Sequence, residues 1–264
     1  MTRPSRYIFV SIILFFLLTN QNTVFAQVLI FESTSKHVGL LELYTSEGCS
    51  SCPPAERWFS QLTKDPDLWK TRFPIAFHVD YWDYLGWKDP FAKRQFSDRQ
   101  RLYHYFNHSS NVATPGFIVD GKGWSGWFRG QQIPLSQGDD HVGVLRVELT
   151  KTESDSLTTA SFSPTRHFKT LIVNVALLGF DITVPVKKGE NRGRDLKHDF
   201  VVLEQKTVAL KQDCKQDRNQ ECKQWHAELT TPTINNFNAS RHAMLFWVSD
   251  NNDPTPIQVV GGWL

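Results

Sequence analysis

The stretch Leu40-Leu41-Glu42-Leu43-Tyr44-Thr45-Ser46-Glu47-Gly48-Cys49-Ser50-Ser51-Cys52-Pro53-Pro54-Ala55-Glu56 decides how this sequence is read. Residues 40–44 are a short apolar run of the kind that forms a buried strand, and residues 54–62 predict a helix. Cys49 and Cys52 therefore fall between a strand and the first turn of a helix, where the helix dipole favours a thiolate, the attacking species in disulfide exchange. Pro53 and Pro54 suit only a first turn, so the helix can start at Cys52 and leave Cys49 just ahead of it. Glu47, two residues before Cys49, would disfavour the thiolate if its carboxylate pointed that way. Cys-x-x-Cys by itself also fits an inert disulfide or half of a metal site. Pro53 stands where a haem-attachment motif needs histidine, and Cys214 and Cys222, eight apart and far along the chain, do not complete a close-spaced zinc set.

Working outward, residues 74–79 predict a second strand, residues 90–106 a longer helix, and residues 116–119 and 124–128 a hairpin about Asp120-Gly121. This alternation predicts an α/β domain over residues 38–129, preceded by an N-terminal segment at 27–37. Thr114-Pro115 stands just before the hairpin, and proline is the residue that makes a cis bond tolerable; the placement resembles that of thioredoxin folds, which implies a cis bond lying beside the cysteines. The polar residues 130–141, with Pro134 and two glycines, read as a linker. Beyond them, short apolar runs at 144–149, 157–162, 170–178, 182–186, 200–203, 207–210, 225–229, 243–248 and 257–260 predict a β-rich, sandwich-like domain over 142–264.

The chain has 264 residues, 40 % of them apolar and 13 % aromatic, enough for one large core or two modest ones, and two domains are the expectation. A formal net charge of +2 with no long basic block excludes an electrostatic nucleic-acid footprint. Arg3 and Arg6, the apolar residues 7–18, and Val24 and Ala26 follow the order of a signal peptide over residues 1–26, cleaved before Gln27. That apolar run is about a dozen residues, where a spanning helix needs about twenty, so no stable membrane anchor is expected. The expected location is periplasmic or secreted, an oxidising setting in which Cys214 and Cys222 read as a structural disulfide.

The segments L-E-L-Y-T-S-E-G-C-S-S-C-P-P-A-E (41–56), F-H-V-D-Y-W-D-Y-L-G-W-K-D-P-F-A (77–92) and T-P-G-F-I-V-D-G (114–121) resemble the exported thioredoxin-like family catalogued as domain-of-unknown-function 1223. G-E-N-R-G-R (189–194), followed by Leu196 and His198, is similar to that family's second half. The resemblance implies an α/β thioredoxin-like domain in an exported, mainly bacterial protein with no established substrate. In chemistry of that kind Cys49 is the nucleophile and Cys52 the resolving thiol, with Pro115 beside them. Thr114, Trp82 and Asp80 are the candidate substrate contacts. The run Phe77, His78, Asp80, Tyr81, Trp82, Asp83, Tyr84 and Trp87 reads either as a groove wall, with Asp80 or His78 relaying protons, or as core rings and helix-capping carboxylates.

The resulting expectation is a thiol-disulfide oxidoreductase acting on protein or small-thiol disulfides, with a redox partner protein and no cofactor. The alternatives are a non-catalytic binding or scaffold protein whose disulfide is inert, and copper handling by Cys49, Cys52 and His78. His104 and His108, four apart, lack a third ligand and read as a solvated helix face. Residues 189–194 read equally as an anion-binding or a polar hairpin loop, and no metal site is assigned.

Overall fold

The computed structural model describes residues 27–134, 137–151, 156–212, 224–232 and 238–264. The expected signal peptide and the pair Cys214 and Cys222 lie outside the described residues. In chain order the first elements are β1 (Gln27–Glu32), β2 (Lys36–Val38), β3 (Leu40–Thr45), α1 (Cys52–Ser60), β4 (Phe73–His78), α2 (Arg94–Tyr105), β5 (Gly116–Val119) and β6 (Lys122–Gly123). There follow β7 (Gln137–His141), β8 (Gly143–Lys151), β9 (Ser156–Pro164), β10 (Leu171–Phe180), β11 (Ile182–Pro185) and β12 (Asp195–His198). The last are β13 (Val201–Ala209), β14 (Lys211–Gln212), β15 (Trp225–Thr230), β16 (Arg241–Asp250) and β17 (Gln258–Trp263).

Strands β17-β16-β10-β13-β4-β3-β5-β6 lie side by side in one eight-stranded sheet, and β1-β8-β9-β15-β14 form a five-stranded one. β3 and β4 run parallel, joined by a crossover through α1 as a parallel pair requires. A single parallel pairing, Val201 with Ala76, ties β13 to β4. Successive side chains of a strand point to opposite faces, so β10 and β16 serve two cores. Ala176, Leu178 and Phe180, with Ala243, Leu245 and Trp247, join the core that holds Ala55, Phe59 and Phe96 from the helices. Val173, Val175 and Leu177, with Met244, Phe246 and Val248, meet Leu145, Val147, Phe162 and Trp225 of the five-stranded sheet. At about 1.5–3 kcal/mol for each large apolar side chain buried, these two strands bind the layers from both sides.

This architecture corrects the expected fold class. The described residues are 46 % strand and 15 % helix, in several sheets with only two α-helices among them, and not an α/β thioredoxin-like domain followed by a sandwich-like one. The physical reason is strand partnership. β10, β13 and β16, expected in a separate layer pair, extend the sheet begun by β3 and β4 and supply Ala176, Leu178, Phe180, Val202, Ala243, Leu245 and Trp247 to its core. Apolar periodicity shows that a strand has a buried face but not which strands share its sheet.

Smaller differences have local causes. Asp120 and Gly121 take φ 50° and 74°, as a two-residue hairpin turn requires, but the second arm is only Lys122–Gly123. Residues Gly126–Arg129 form a 3-10 turn that packs Trp127 on the core instead of a strand. The runs 200–203 and 207–210 belong to the one strand β13, and α2 begins at Arg94.

Candidate functional site

Three segments converge at one end of the eight-stranded sheet. Parallel pairing of β3 with β4 places Thr45 beside His78, and antiparallel β5 brings Gly116 back beside Tyr44. The loop leaving β3, the loop leaving β4 and Thr114-Pro115 therefore meet. α1 starts at Cys52 with Pro53 and Pro54 in its first turn, where their missing N–H groups leave no intrahelical bond unmade. Cys49 lies ahead of the helix, in a turn held by its N–H to the Ser46 carbonyl (3.1 Å) and by the Cys52 N–H to its own carbonyl (3.3 Å). Gly48 lets Trp82 lie against that turn, since a Cβ there would stand 3.0 Å from the Trp82 Cβ.

The Thr114–Pro115 bond is cis. The Thr114 carbonyl accepts a hydrogen bond from Cys49 Sγ at 3.7 Å, and the Thr114 hydroxyl accepts the Trp82 indole N–H at 2.7 Å. The structure thus brings Cys49, Thr114 and Trp82 together, with Cys52 and Pro115 next to them in the chain. Asp80 is not with them. Its carboxylate accepts the Ser97 hydroxyl of α2 at 2.5 Å, and its N–H donates to the same oxygen at 3.1 Å, which ties the loop after β4 to the helix.

Both cysteines are free thiols, 2 % and 0 % exposed for Cys49 and Cys52, behind the exposed Ser50 and Ser51. Cys49, although it lies ahead of the helix, is buried. The two thiols differ in acidity. A hydrogen bond from Cys52, with others from Ser51 and Thr114, outweighs burial and lowers the Cys49 thiol to about 6. Burial, the hydrogen bond given to Cys49, and the charges of Cys49 and Glu56 push Cys52 well above the ordinary thiol range. Both shifts follow one rule, that donors to the charged form favour it while burial and like charge oppose it. Glu47 plays no part against the thiolate. Its carboxylate accepts the Trp87 indole N–H at 2.6 Å and faces His198 Nε2 at 3.0 Å.

Sequence reasoning singled out His78, Glu47 and residues 189–194 but missed the two groupings that they belong to. The loop at 189–194 is a strap over the cysteine turn. The buried Asn191 amide donates to the carbonyls of Glu47 and Cys49, each at 2.9 Å, and the Glu190 carboxylate accepts the Ser50 N–H at 2.9 Å. A polar loop some 140 residues away carries no signal for this, beyond its place among the segments of the family resemblance.

The second group is a buried cluster beneath the turn. His198 Nδ1 lies 2.6 Å from Glu56, whose other oxygen accepts the Thr45 hydroxyl. His78 Nδ1 lies 2.7 Å from Asp89, and that carboxylate also accepts the N–H groups of Glu47 and Phe91 at 2.9 Å. Burial opposes the charge on His198, but Glu56 and Glu47 override it and lift the imidazole to about 10. His78 is likewise raised against burial, chiefly by Asp89. Against their own burial, His198 holds Glu56 below its ordinary value and His78 does the same for Asp89.

His78 is thus engaged with carboxylates. The metal-capable group that comes together among the described residues is Glu56, His78 and His198, with neither cysteine in it. His104 bonds the Ser109 carbonyl at 3.0 Å and His108 faces Thr255 at 3.2 Å, so these two do not converge on one ion.

A profile of the family described as a protein of unknown function (DUF1223) matches residues 40–249. The chain belongs to the DUF1223 family. The match runs from the first residue of β3 into β16, so the DUF1223 region contains the cysteine turn, the cis proline, the strap and the buried cluster. No curated protein matches this DUF1223 chain. Among solved structures, the crystal structure of protein AGR_C_4864 from Agrobacterium tumefaciens is similar at 21 % identity and a TM-score of 0.52, over 88 % of this chain and 94 % of that one. HBP35 of Porphyromonas gingivalis is similar at 15 % identity and a TM-score of 0.56, over 88 % of this chain and 76 % of that one. At these identities the likeness is one of fold alone.

Proposed function

We propose that this DUF1223 protein carries out thiol-disulfide exchange on protein or small-thiol disulfides through Cys49 and Cys52. The observation that carries the reading is the placement of the two thiols: Cys49 just ahead of α1 and bordered by the cis Thr114–Pro115 segment, Cys52 buried in the first helical turn, a setting that lowers the first thiol and raises the second. At neutral pH the first is a thiolate and the second keeps its proton. The Cys49 thiolate attacks one sulfur of a substrate disulfide, a mixed disulfide forms, and the other substrate sulfur leaves as a thiolate that takes up a proton. Cys52, once deprotonated, attacks the Cys49 sulfur. The mixed bond breaks, the substrate's second thiol leaves, and the pair is left oxidised while the substrate has gained two electrons and two protons. The reverse sequence oxidises a substrate dithiol.

The surroundings support this reading. The Thr114 carbonyl and the Trp82 ring border Cys49, and Trp82 stacks at 6.3 Å on the exposed Tyr84, an aromatic lip beside the reacting sulfur. The same reading makes residues 1–26 a signal peptide and the working compartment periplasmic or extracellular.

Burial of both sulfurs favours a second reading, in which the protein binds a partner and the cysteine pair is inert. Alkylation of the reduced protein across pH separates the two. Exchange chemistry predicts modification at Cys49 that rises through a midpoint near about 6, with Cys52 much slower. Equal, slow modification of both throughout favours the inert pair.

A further inference from the structure

Beneath the cysteine turn lie side chains that disulfide exchange does not use. Glu56 on α1, His78 at the end of β4 and His198 at the end of β12 each bring one ligand atom within 4.8 Å of the others. They are 6 %, 1 % and 2 % exposed. Each imidazole is oriented from behind by a further carboxylate, His78 through Nδ1 by Asp89 at 2.7 Å and His198 through Nε2 by Glu47 at 3.0 Å. With Nδ1 committed to Asp89, Nε2 is the nitrogen of His78 left to ligate, and it is buried without a hydrogen-bond partner. An orphaned polar atom of this kind is uncommon in a folded interior and marks either a cost or an absent partner.

A carboxylate behind each ring is the arrangement that fixes tautomer and orientation in metal-ligating histidines. The remaining atoms, two imidazole nitrogens and a carboxylate oxygen, form a donor set that suits zinc and neighbouring first-row divalent ions. Phe91 covers both imidazoles, its ring centroid 5.2 Å from His78 and 5.7 Å from His198. Leu43, Phe59, Ala76 and Val201, with the half-buried Asp199, line the rest of the space.

We propose that Glu56, His78 and His198 form a buried site for a divalent transition-metal ion of the zinc type, separate from the cysteine pair, with Asp89 and Glu47 as positioning residues. Glu56 and His198 Nδ1, 2.6 Å apart, must separate by under about 1 Å to share an ion at ordinary bond lengths of roughly 2.0–2.2 Å. The ion takes the place of the hydrogen bond between them and gives His78 Nε2 its partner. Buried ligands on α1, β4 and β12 make loading slow and tie the helix behind the cysteines to the sheet and the strap.

The test uses the full chain carrying Cys49→Ser and Cys52→Ser, stripped with a chelator and incubated with Co(II) as the sole metal. The expected result is one bound Co(II) per chain, with visible d–d bands of low-symmetry coordination and no sulfur-to-cobalt charge-transfer band. His78→Gln in the same background removes the bands. Asp89→Asn, which keeps all three ligands, weakens binding about 10–100-fold, and it carries the test if His78→Gln fails to fold. Absence of d–d bands in the parent double-serine chain, appearance of a sulfur charge-transfer band, or an affinity unchanged by both substitutions would overturn the proposal.

Discussion

Two buried charge clusters flank β3, and they are built from different chemistry. On one side the Glu42 carboxylate accepts Arg99 Nε and Nη2 at 2.9 and 2.8 Å, the Tyr103 hydroxyl at 2.6 Å and the Tyr44 hydroxyl at 2.7 Å. The Arg99 guanidinium also reaches the Pro254 carbonyl at 3.2 Å and lies over the rings of Phe77, Tyr103 and Trp247 at 5.2–5.6 Å. Guanidinium charge is permanent at any relevant pH, and this cluster fastens α2 and the segment before β17 to the central sheet. On the other side Glu47, Glu56, Asp89, His78 and His198 are as deeply buried, but their cations are imidazoles that titrate, and one ring nitrogen is left without a partner. The satisfied, unswitchable cluster is a structural joint. The titratable and incompletely paired one lies under the cysteine turn and keeps His78 Nε2 without a hydrogen-bond partner, the nitrogen left for an ion.

The largest effect that tests this contrast comes from Arg99→Leu. It leaves the buried Glu42 carboxylate without its counter-ion, so urea unfolding should show a loss of about 3–5 kcal/mol, with the pH midpoint of Cys49 alkylation unchanged in the folded fraction. A loss under about 1 kcal/mol would remove the distinction between joint and site. Asn191→Ala acts on the other side. Two buried carbonyls lose their donor, at a cost of about 1–3 kcal/mol, and Cys49 in the folded protein should alkylate faster as the strap releases its turn. An unchanged rate would show that something other than the strap shields the sulfur.

The smallest effect is on the pH dependence of stability, because the raised histidines His198 and His78 act against the lowered Cys49. His198 is raised from 6.5 to about 10, so its contribution is complete below pH 6.5 and lost as pH rises through about 10. Cys49 is lowered from 9.0 to about 6, so its contribution is complete above pH 9.0 and lost as pH falls through about 6. His78, raised as well, adds to the loss with rising pH, so urea midpoints of reduced, chelator-stripped protein between pH 6.5 and 9 should fall gently. His198→Gln should flatten that fall or turn it upward, and Cys49→Ser should steepen it. The opposite pair of slopes would contradict the assignments.

The site was more legible than the fold. Strand β3 and the helix start at Cys52 follow from local patterns, because apolar runs and prolines act within a few residues of themselves, whereas the cis bond at Thr114–Pro115 was expected from a resemblance. The fold class did not follow, since the pairing of β13 with β4 joins residues 125 apart and rests on the single register pair of Val201 with Ala76. The long-range half of the site was hidden for the same reason. Asn191 and His198 reach Cys49 and Glu56 across more than 140 residues, and a lone asparagine or histidine in a polar stretch reads as surface. Asp80 stood in the expected segment but turned to Ser97, as a carboxylate after a strand does when a helix hydroxyl is within reach.

The central claim is the asymmetry of the cysteine pair, and trapping tests it most directly. Reduced Cys52→Ser protein mixed with a disulfide substrate should accumulate a mixed disulfide at Cys49, seen by mass, because the first exchange proceeds and the thiol that releases the substrate is absent. Cys49→Ser should trap little or none. Equal trapping by both variants, or trapping by Cys49→Ser alone, would contradict the account.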